Sequence, residues 1–333
     1  MRLTACFGII ILHSLFASTV YFSDEMSKGD VLYEKIAEHM LMWCVPLFLM
    51  ITGALLLEPV KEVGAKKLFG KYLKRIALAL VSFFIIFKIL ETVIEDKPFS
   101  FSESIFQFMR GESWAHMWYL YLMISIYLML PVYKAISARL SYRWLTYFVT
   151  LMLIFTSIGP VLNTLGFPID AFSIPVSTIY PSYLFVGYLL FKCRPPARYG
   201  WLLLILSTAM IVMITIISLD GGVHDSGVAK TMDNVAAYSS IFVVMQTSGI
   251  FILLNNKEWN WSQKADTVIS SMDSCTFGIY LIHMIGIRWV MKWIGVNPYM
   301  YGPFFFILLA LVLFAGSYIV TLGIRKISDN RLL

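Results

Sequence analysis

Apolar stretches long enough to cross a lipid bilayer recur along the whole of this 333-residue sequence. A membrane-spanning helix needs about 20 mostly apolar residues, and a sliding window finds about ten such stretches. Hydrophobic residues make up 59% of the chain and charged residues only 14%, whereas a soluble domain carries about a quarter charged residues. We therefore predict an all-α, polytopic membrane bundle of about ten transmembrane helices, near residues 3–22, 38–57, 76–95, 117–138, 143–162, 180–193, 199–219, 237–255, 270–291 and 303–323.

Lysine and arginine are distributed unevenly between the connections that join these stretches. Cytoplasmic connections of membrane proteins carry an excess of these residues. If the N-terminus lies inside, nearly all the basic connections fall on the inner side, so both termini are predicted to be cytoplasmic. The formal net charge of +6 then reflects topology rather than nucleic-acid binding. The predicted outer side keeps only Lys28, Lys35, Lys97, Arg110, Lys230, Arg288 and Lys292.

No connection is long enough to hold a separate soluble domain, so residues 1–333 are interpreted as a single integral-membrane domain. The four cysteines show no metal-ligand spacing. A Gly-rich phosphate loop, a G-x-S-x-G elbow and an H-E-x-x-H motif are all missing. No acidic residue stands five positions after any histidine, so an H-x4-D motif is missing as well. We predict neither a bound metal nor a bound cofactor, and nothing in the sequence indicates the oligomeric state.

The first apolar stretch carries a cation at its start and an imidazole near its middle. Arg2 and His13 are eleven residues apart, which is about three helical turns, so they share one face about 16 Å apart along the axis. His13 and His283 are the most deeply placed ionisable candidates. For either histidine alone, a hydrogen-bonded interior role is an alternative to function. Two histidines at similar depth favour a functional role. An imidazole is also suited to take a proton from a hydroxyl.

The longest predicted inner connection ends in a cationic ridge. Lys67, Lys71, Lys74 and Arg75 fall at i, i+4, i+7 and i+8, which places them on one side of a helix that continues into the third span. Two interpretations stay open. The ridge could serve topology and contact anionic lipid headgroups, or it could bind a phosphate-rich cytosolic ligand.

Five segments, taken in order, resemble the integral-membrane acyltransferases of acyltransferase family 3. The resemblance runs nearly from end to end. Within the family, the size, the single membrane domain and the ending GIRKISDNRLL look most like the enterobacterial common antigen and O-antigen O-acetyltransferases. The matching segments are Arg2 with His13, VPLFLMITGALLL at 45–57, KYLKRI at 71–76, HMWYLYLMISIYLMLP at 116–131 and TFGIYLIHMIGI at 276–287.

This resemblance implies a multi-pass enzyme of the bacterial inner membrane. Such an enzyme takes an acyl group, most often acetyl, from cytosolic acyl-CoA. It transfers the group to a hydroxyl of a cell-surface polysaccharide or of its lipid-linked precursor. The implied partners are therefore acyl-CoA, a glycan or lipid-linked glycan acceptor, and membrane lipids.

The resemblance also implies roles for individual residues. His13 would be the general base on the acceptor hydroxyl. The CoA phosphates would be held by cations at the inner surface, namely Arg2, Lys71, Lys74 and Arg75. The remaining pocket residues, on the catalytic and acceptor sides, would be His283, Tyr280, His116 and Trp118.

A secondary transporter or a glycolipid flippase without acyl-transfer activity is the alternative from another functional class. Ten spans with buried polar residues would also suit alternating access. Against this alternative, the sequence contains no detectable inverted repeat and no pair of broken helices in corresponding positions.

Overall fold

The computed structural model of the protein describes residues 1–60, 64–158, 178–220 and 236–327. These residues form helices and connections, with no β-strand among them. Short helical turns adjoin the main helices at Ser23–Glu25, Ala65–Lys67, Leu68–Leu73, Ala115–Met117, Ile154–Ile158, Trp289–Trp293 and Pro298–Tyr301. The main helices are α1 (Arg2–Phe22), α2 (Lys28–Leu41), α3 (Cys44–Leu56), α4 (Lys74–Val93), α5 (Phe101–Arg110), α6 (Trp118–Arg139), α7 (Tyr142–Leu153), α8 (Ile179–Cys193), α9 (Ala197–Asp220), α10 (Ile241–Asn256), α11 (Gln263–Arg288) and α12 (Pro303–Ile327).

The all-α class and the multi-pass character are confirmed. Within the part of the chain that the structure describes, seven helical segments are long and apolar enough to cross a membrane, and each predicted stretch contains a helix. The count of ten and the cytoplasmic termini stay predictions, and we use "inner" and "outer" in that predicted sense. Lys61, Lys230 and Arg331, which contribute to the charge pattern, lie outside the described residues. The seven segments are Arg2–Glu25, Lys28–Leu56, Ala65–Val93, Ala115–Arg139, Ala197–Ile217, Gln263–Trp293 and Pro303–Ile327.

The second helical segment begins ten residues before its predicted start at residue 38. Its first helix, α2, mixes polar and apolar residues, so a hydropathy window does not detect it. A capping box fixes its beginning. The Ser27 hydroxyl accepts from the Asp30 backbone N–H, and the Asp30 carboxylate accepts from the Ser27 backbone N–H.

Helices α1 and α11 pack side by side and run in the same direction. Cys6 lies against the Thr276 carbonyl oxygen, and Ser18 lies 3.6 Å from the sulfur of Met291. A residue on α1 therefore contacts one about 270 positions later. Since both helices rise 1.5 Å per residue, this register holds from the inner end to the outer end. It brings Arg2 to the same depth as Asp273, and His13 to the same depth as His283.

Helices α3 and α8 pack so closely that their backbones are in contact. A Cβ atom at Gly53 would lie 1.9 Å from the Leu184 carbonyl oxygen, and one at Gly187 would lie 2.2 Å from the Met50 carbonyl oxygen. Small residues allow such close helix packing within a membrane. This tight pair lies behind α1, whose Gly8 leaves no room for a side chain beside Cys44.

Candidate active site

Three histidines from three parts of the chain meet near the middle of the bundle. His13 lies on α1, His283 on α11, and His116 in the turn that precedes α6. The rings of His13 and His283 lie nearly parallel, with planes within 8° and centroids 5.1 Å apart. The His116 ring is edge-on to both, at 6.3 Å from His13 and 5.5 Å from His283. We call these side chains the histidine centre.

A directional hydrogen-bond chain runs through two members of the histidine centre. Nδ1 of His283 lies 3.2 Å from the Ile279 carbonyl oxygen, and this nitrogen donates because a carbonyl only accepts. Nε2 of neutral His283 then offers a lone pair, so Nδ1 of His13, 2.8 Å away, donates to it. These protons are assigned from the hydrogen-bond network. The assignment leaves Nε2 of His13 with its lone pair free to take a proton.

His13 differs from the other two histidines in accessibility. His283 and His116 are fully buried, with 0% of each residue exposed, whereas His13 is only partly buried. A general base has to come within hydrogen-bond reach of the proton that it removes. Of the three side chains, His13 is therefore the one placed to meet a reacting hydroxyl.

The position of His116 is fixed through its backbone rather than through its ring. The Tyr280 hydroxyl donates to the His116 carbonyl oxygen, and the Phe87 ring packs edge-on against the imidazole at 5.4 Å. Both ring nitrogens are buried and have no hydrogen-bond partner among the described residues. Buried polar groups without partners are uncommon, because they cost stability.

Two guanidinium groups lie beside the middle of α11, at the level where α1 begins. Nη1 of Arg2 is 3.2 Å from Oδ2 of Asp273, and 41% and 38% of the two side chains are exposed. Nη1 of Arg325, on α12, donates to the Ser274 hydroxyl at 2.7 Å. Because α1 and α11 share one register, this inner pair stands about 16 Å below the His13–His283 pair.

The predicted cationic ridge divides between two environments. Lys71 and Lys74 are exposed, whereas Arg75 is partly buried and its guanidinium lies 5.2 Å from the Phe277 ring centroid. The segment Leu68–Leu73 forms a π-helical turn, so the spacing of a regular α-helix does not apply across the ridge. Arg75 thus packs against α11, whereas the two lysines are exposed.

Trp118 belongs to a neighbouring aromatic group rather than to the histidine centre. Its ring centroid lies 5.8 Å from that of Tyr180 and 5.6 Å from that of Tyr238. The adjacent Tyr119 ring is edge-on to Tyr280 at 5.5 Å. Tyr280 therefore connects this aromatic group with the histidine centre.

Charged residues at the outer end form an ion cluster around Glu95, a residue that was not among the predicted site residues. Glu95 contacts Arg288 at 2.9 Å and Lys97 at 3.4 Å, as well as Lys292, and only 4% of its side chain is exposed. Burial raises the pKa of Glu95, but the hydrogen bond from Lys292 and the charges of Arg288, Lys292 and Lys97 outweigh burial and lower the pKa to about 2. We define the outer ion cluster as Lys88, Glu91, Glu95, Lys97, Arg288 and Lys292.

Asp273 and Arg325 also lie among the predicted inner cations, although neither was a predicted site residue. A signal for Asp273 was present, because Asp273 precedes His283 by ten residues much as Arg2 precedes His13 by eleven. If two such helices pack in parallel, the charged residues can contact each other at one level and the histidines at the other. Arg325 had no comparable signal, since it resembled any other basic residue at an inner helix end.

The multi-pass helical bundle thus holds a histidine centre in its interior, and cations gather at one level below this centre. The acyltransferase family 3 model, described as an acyltransferase domain, matches residues 1–324. The chain belongs to this family and is a membrane acyltransferase. Searches of the curated proteins and of the solved structures gave no significant match.

Proposed function

We propose that the protein is an O-acyltransferase of the bacterial inner membrane, and specifically an O-acetyltransferase. The donor is cytosolic acetyl-CoA, and the acceptor is a hydroxyl of a cell-surface polysaccharide or of its lipid-linked precursor. The observation that carries this proposal is the 2.8 Å hydrogen bond between His13 and His283. It leaves a basic nitrogen accessible on the same helix face as Arg2.

The proposed reaction uses Nε2 of His13 twice. The acceptor oxygen bonds to the thioester carbonyl carbon while its proton passes to Nε2. The tetrahedral intermediate then collapses by breaking the carbon–sulfur bond, and the leaving thiolate takes the proton from His13. His283 stabilises the imidazolium through the Nδ1 hydrogen bond, which is the role of an orienting third group. The products are the acetyl ester and free CoA.

The donor phosphates would be bound by the inner cations. Arg2 and Arg75 offer guanidinium groups, which recognise phosphate bidentately, and Lys71 and Lys74 add point charges. Arg325 lies next to these groups and joins the proposed donor site. The distance of about 16 Å from Arg2 to His13 suits an extended pantetheine arm, so one helix would position both ends of the donor.

On the acceptor side, we assign His116 to the polar lining beside the reacting hydroxyl. Its ring nitrogens are free to hydrogen-bond, and the ring lies 6.3 Å from His13. Tyr280 would act as a positioning residue, because it holds the His116 backbone. Trp118 would contribute an aromatic surface at the edge of the pocket.

The experiment that tests this function is transfer from radiolabelled acetyl-CoA in membranes, with surface glycan extracted from a strain that lacks the gene. We expect His13→Ala to lower transfer by about 10²–10⁴-fold, the range for general base catalysis. His283→Ala should lower kcat without changing the KM for acetyl-CoA. His39→Ala is the matched control, since His39 is a buried histidine bonded to Thr215, away from the histidine centre.

The outcomes separate the two functional classes. Full activity of His13→Ala would contradict the assigned base. Absence of transfer to any glycan by the wild-type protein, together with movement of a glycolipid between leaflets of a proteoliposome, would favour the flippase alternative.

A further inference from the structure

A polar cavity of about 580 Å³ opens between α4, α5 and the segment before α6 at the outer end. Its volume falls within the ~300–1,000 Å³ range of small-molecule sites. Carboxylate, amide and hydroxyl groups line one side, among them Glu103, Gln107 and Ser113. Phe87 and Trp114 form an aromatic wall on the other side, with their rings stacked at 4.0 Å. Many hydrogen-bonding groups facing an aromatic wall suit a saccharide.

The aromatic wall separates this polar cavity from the histidine centre by one ring. Phe87 lines the cavity and also packs against His116 at 5.4 Å. Trp114 lines the cavity and directly precedes the turn that carries His116. A ligand in the polar cavity would therefore lie next to the site where the proposed chemistry takes place.

An apolar groove of about 610 Å³ adjoins the polar cavity on the membrane-facing side of α4 and α5. Ile85, Ile89 and Ile105 line it, and 51%, 55% and 48% of these residues are exposed. The two spaces adjoin each other, because four residues line both; these are Lys88, Thr92, Phe99 and Ser104. A single ligand that fills both spaces must have a polar part and a long apolar part.

The junction between the two spaces carries a cation. Lys88 lines both spaces, and Lys97 lines the polar cavity nearby. Lys88 donates to the Glu91 carboxylate at 2.9 Å, and its ammonium group keeps further N–H donors for another acceptor. These donors suit a negative charge between the polar and the apolar part of a ligand.

We propose that the polar cavity and the apolar groove form one acceptor subsite for a lipid-linked saccharide. The saccharide occupies the polar cavity, the anionic phosphate linkage meets Lys88, and the lipid chain lies in the groove. This inference rests on the proposed function and narrows its acceptor from two classes to the lipid-linked precursor. An ordinary phospholipid would fill the groove but would leave the polar cavity without its saccharide.

The subsite can be tested by photolabelling, which does not require turnover. The probe is a polyprenyl diphosphate that bears an N-acetylhexosamine and a diazirine in its lipid chain, added to the full-length protein in nanodiscs. We expect labelled peptides from α4 and α5, with labelling competed by unlabelled lipid-linked saccharide and not by phosphatidylglycerol. Equal competition by phosphatidylglycerol, or labelling spread evenly over exposed helix faces, would overturn the proposal.

Two variants sharpen the labelling experiment. Ile89→Trp fills the groove and should lower specific labelling about tenfold, equivalent to ~1.4 kcal/mol. Ile319→Trp places the same bulk on the exposed face of α12, where 67% of Ile319 is exposed, and should leave labelling unchanged. If both variants behave alike, the groove is not the lipid site.

The result is independent of the proposed chemistry. If acetyl transfer depends on His13 but the groove is not labelled specifically, the subsite is wrong and the function stands. If specific labelling occurs but no acceptor is ever acetylated, the lipid site stands and the proposed function is wrong.

Discussion

The two ends of the α1–α11 region contain ion pairs of opposite character. At the inner end, Arg2 and Asp273 meet in a single contact, with 41% and 38% of the side chains exposed. At the outer end, Glu95 is 4% exposed and is surrounded by Arg288, Lys292 and Lys97. The Arg2–Asp273 pair is open to solvent, whereas the Glu95 carboxylate is enclosed by its cationic partners.

This difference separates a binding role from a structural role. An exposed ion pair contributes only ~0–1 kcal/mol to stability, so Arg2 can exchange Asp273 for a ligand phosphate at little cost. Removing one partner of a buried charge leaves the other partner uncompensated and is far more costly. We therefore expect variants at the outer end to lower stability and variants at the inner end to lower donor binding.

The largest expected effect is that of Glu95→Gln. Arg288 is 16% exposed and keeps only its longer contact of 3.9 Å with Glu91, so the free energy of unfolding should fall toward the lower end of the ~3–5 kcal/mol known for broken buried pairs. The measurement is the thermal midpoint of the purified protein in detergent. Glu112→Gln is the matched control, because Glu112 is 56% exposed and pairs with an exposed Arg110. Equal midpoints for the two variants would mean that the outer ion cluster is not a structural clamp.

The next effect concerns the donor. Arg2→Gln should raise the KM for acetyl-CoA by about 10–100-fold, since a hydrogen bond to a charged group is worth ~1.5–3 kcal/mol. The thermal midpoint should change little. Asp273→Asn is the control, because it removes the other half of the same ion pair and leaves the guanidinium available. A similar KM increase in both variants would indicate that the intact pair, rather than Arg2, matters for the donor.

A smaller effect is the pH dependence of the stability that the outer ion cluster provides. The pKa of Glu95 is about 2 in the folded protein and 4.5 ordinarily. The folded state therefore favours the ionised carboxylate, and the resulting stability is present above pH 4.5 and is lost as the pH falls toward 2. The difference in thermal midpoint between wild type and Glu95→Gln should be constant above pH 5 and shrink below pH 4.5. A difference that stays constant down to pH 3 would contradict the proposal that the ionised Glu95 carboxylate stabilises the fold.

The sequence predicts the positions of site residues along one helix axis better than it predicts their partners on other helices. The spacing of Arg2 and His13 follows from helix geometry, and the structure has both on α1. The partners of these residues do not follow from α1, because that helix is apolar around most of its circumference and periodicity gives no facing direction. Pairing His13 with His283 requires the parallel packing of α1 on α11, which depends on long-range contacts.

Local helix geometry explains why the cationic ridge differs from its prediction. The spacing of Lys71, Lys74 and Arg75 assumes 3.6 residues per turn, whereas a π-helical turn covers Leu68–Leu73. The carboxylates beside the cations were also difficult to predict. Glu95 lies in a connection near the end of α4, and only the fold brings it to residues almost two hundred positions later.

The smallest expected effect distinguishes the exposed lysines of the cationic ridge from Arg75. Lys71 and Lys74 are exposed, so solvent and salt screen their attraction for the donor. The double variant Lys71→Gln/Lys74→Gln should raise the KM for acetyl-CoA by less than about threefold, in line with exposed charges, and high salt should abolish the difference. Arg75→Gln should raise the KM more and should do so even at high salt, because Arg75 is partly buried against Phe277. If the lysine variant had the larger effect, the donor would bind along the exposed surface instead of between α4 and α11, and Arg2 would not be its main phosphate contact.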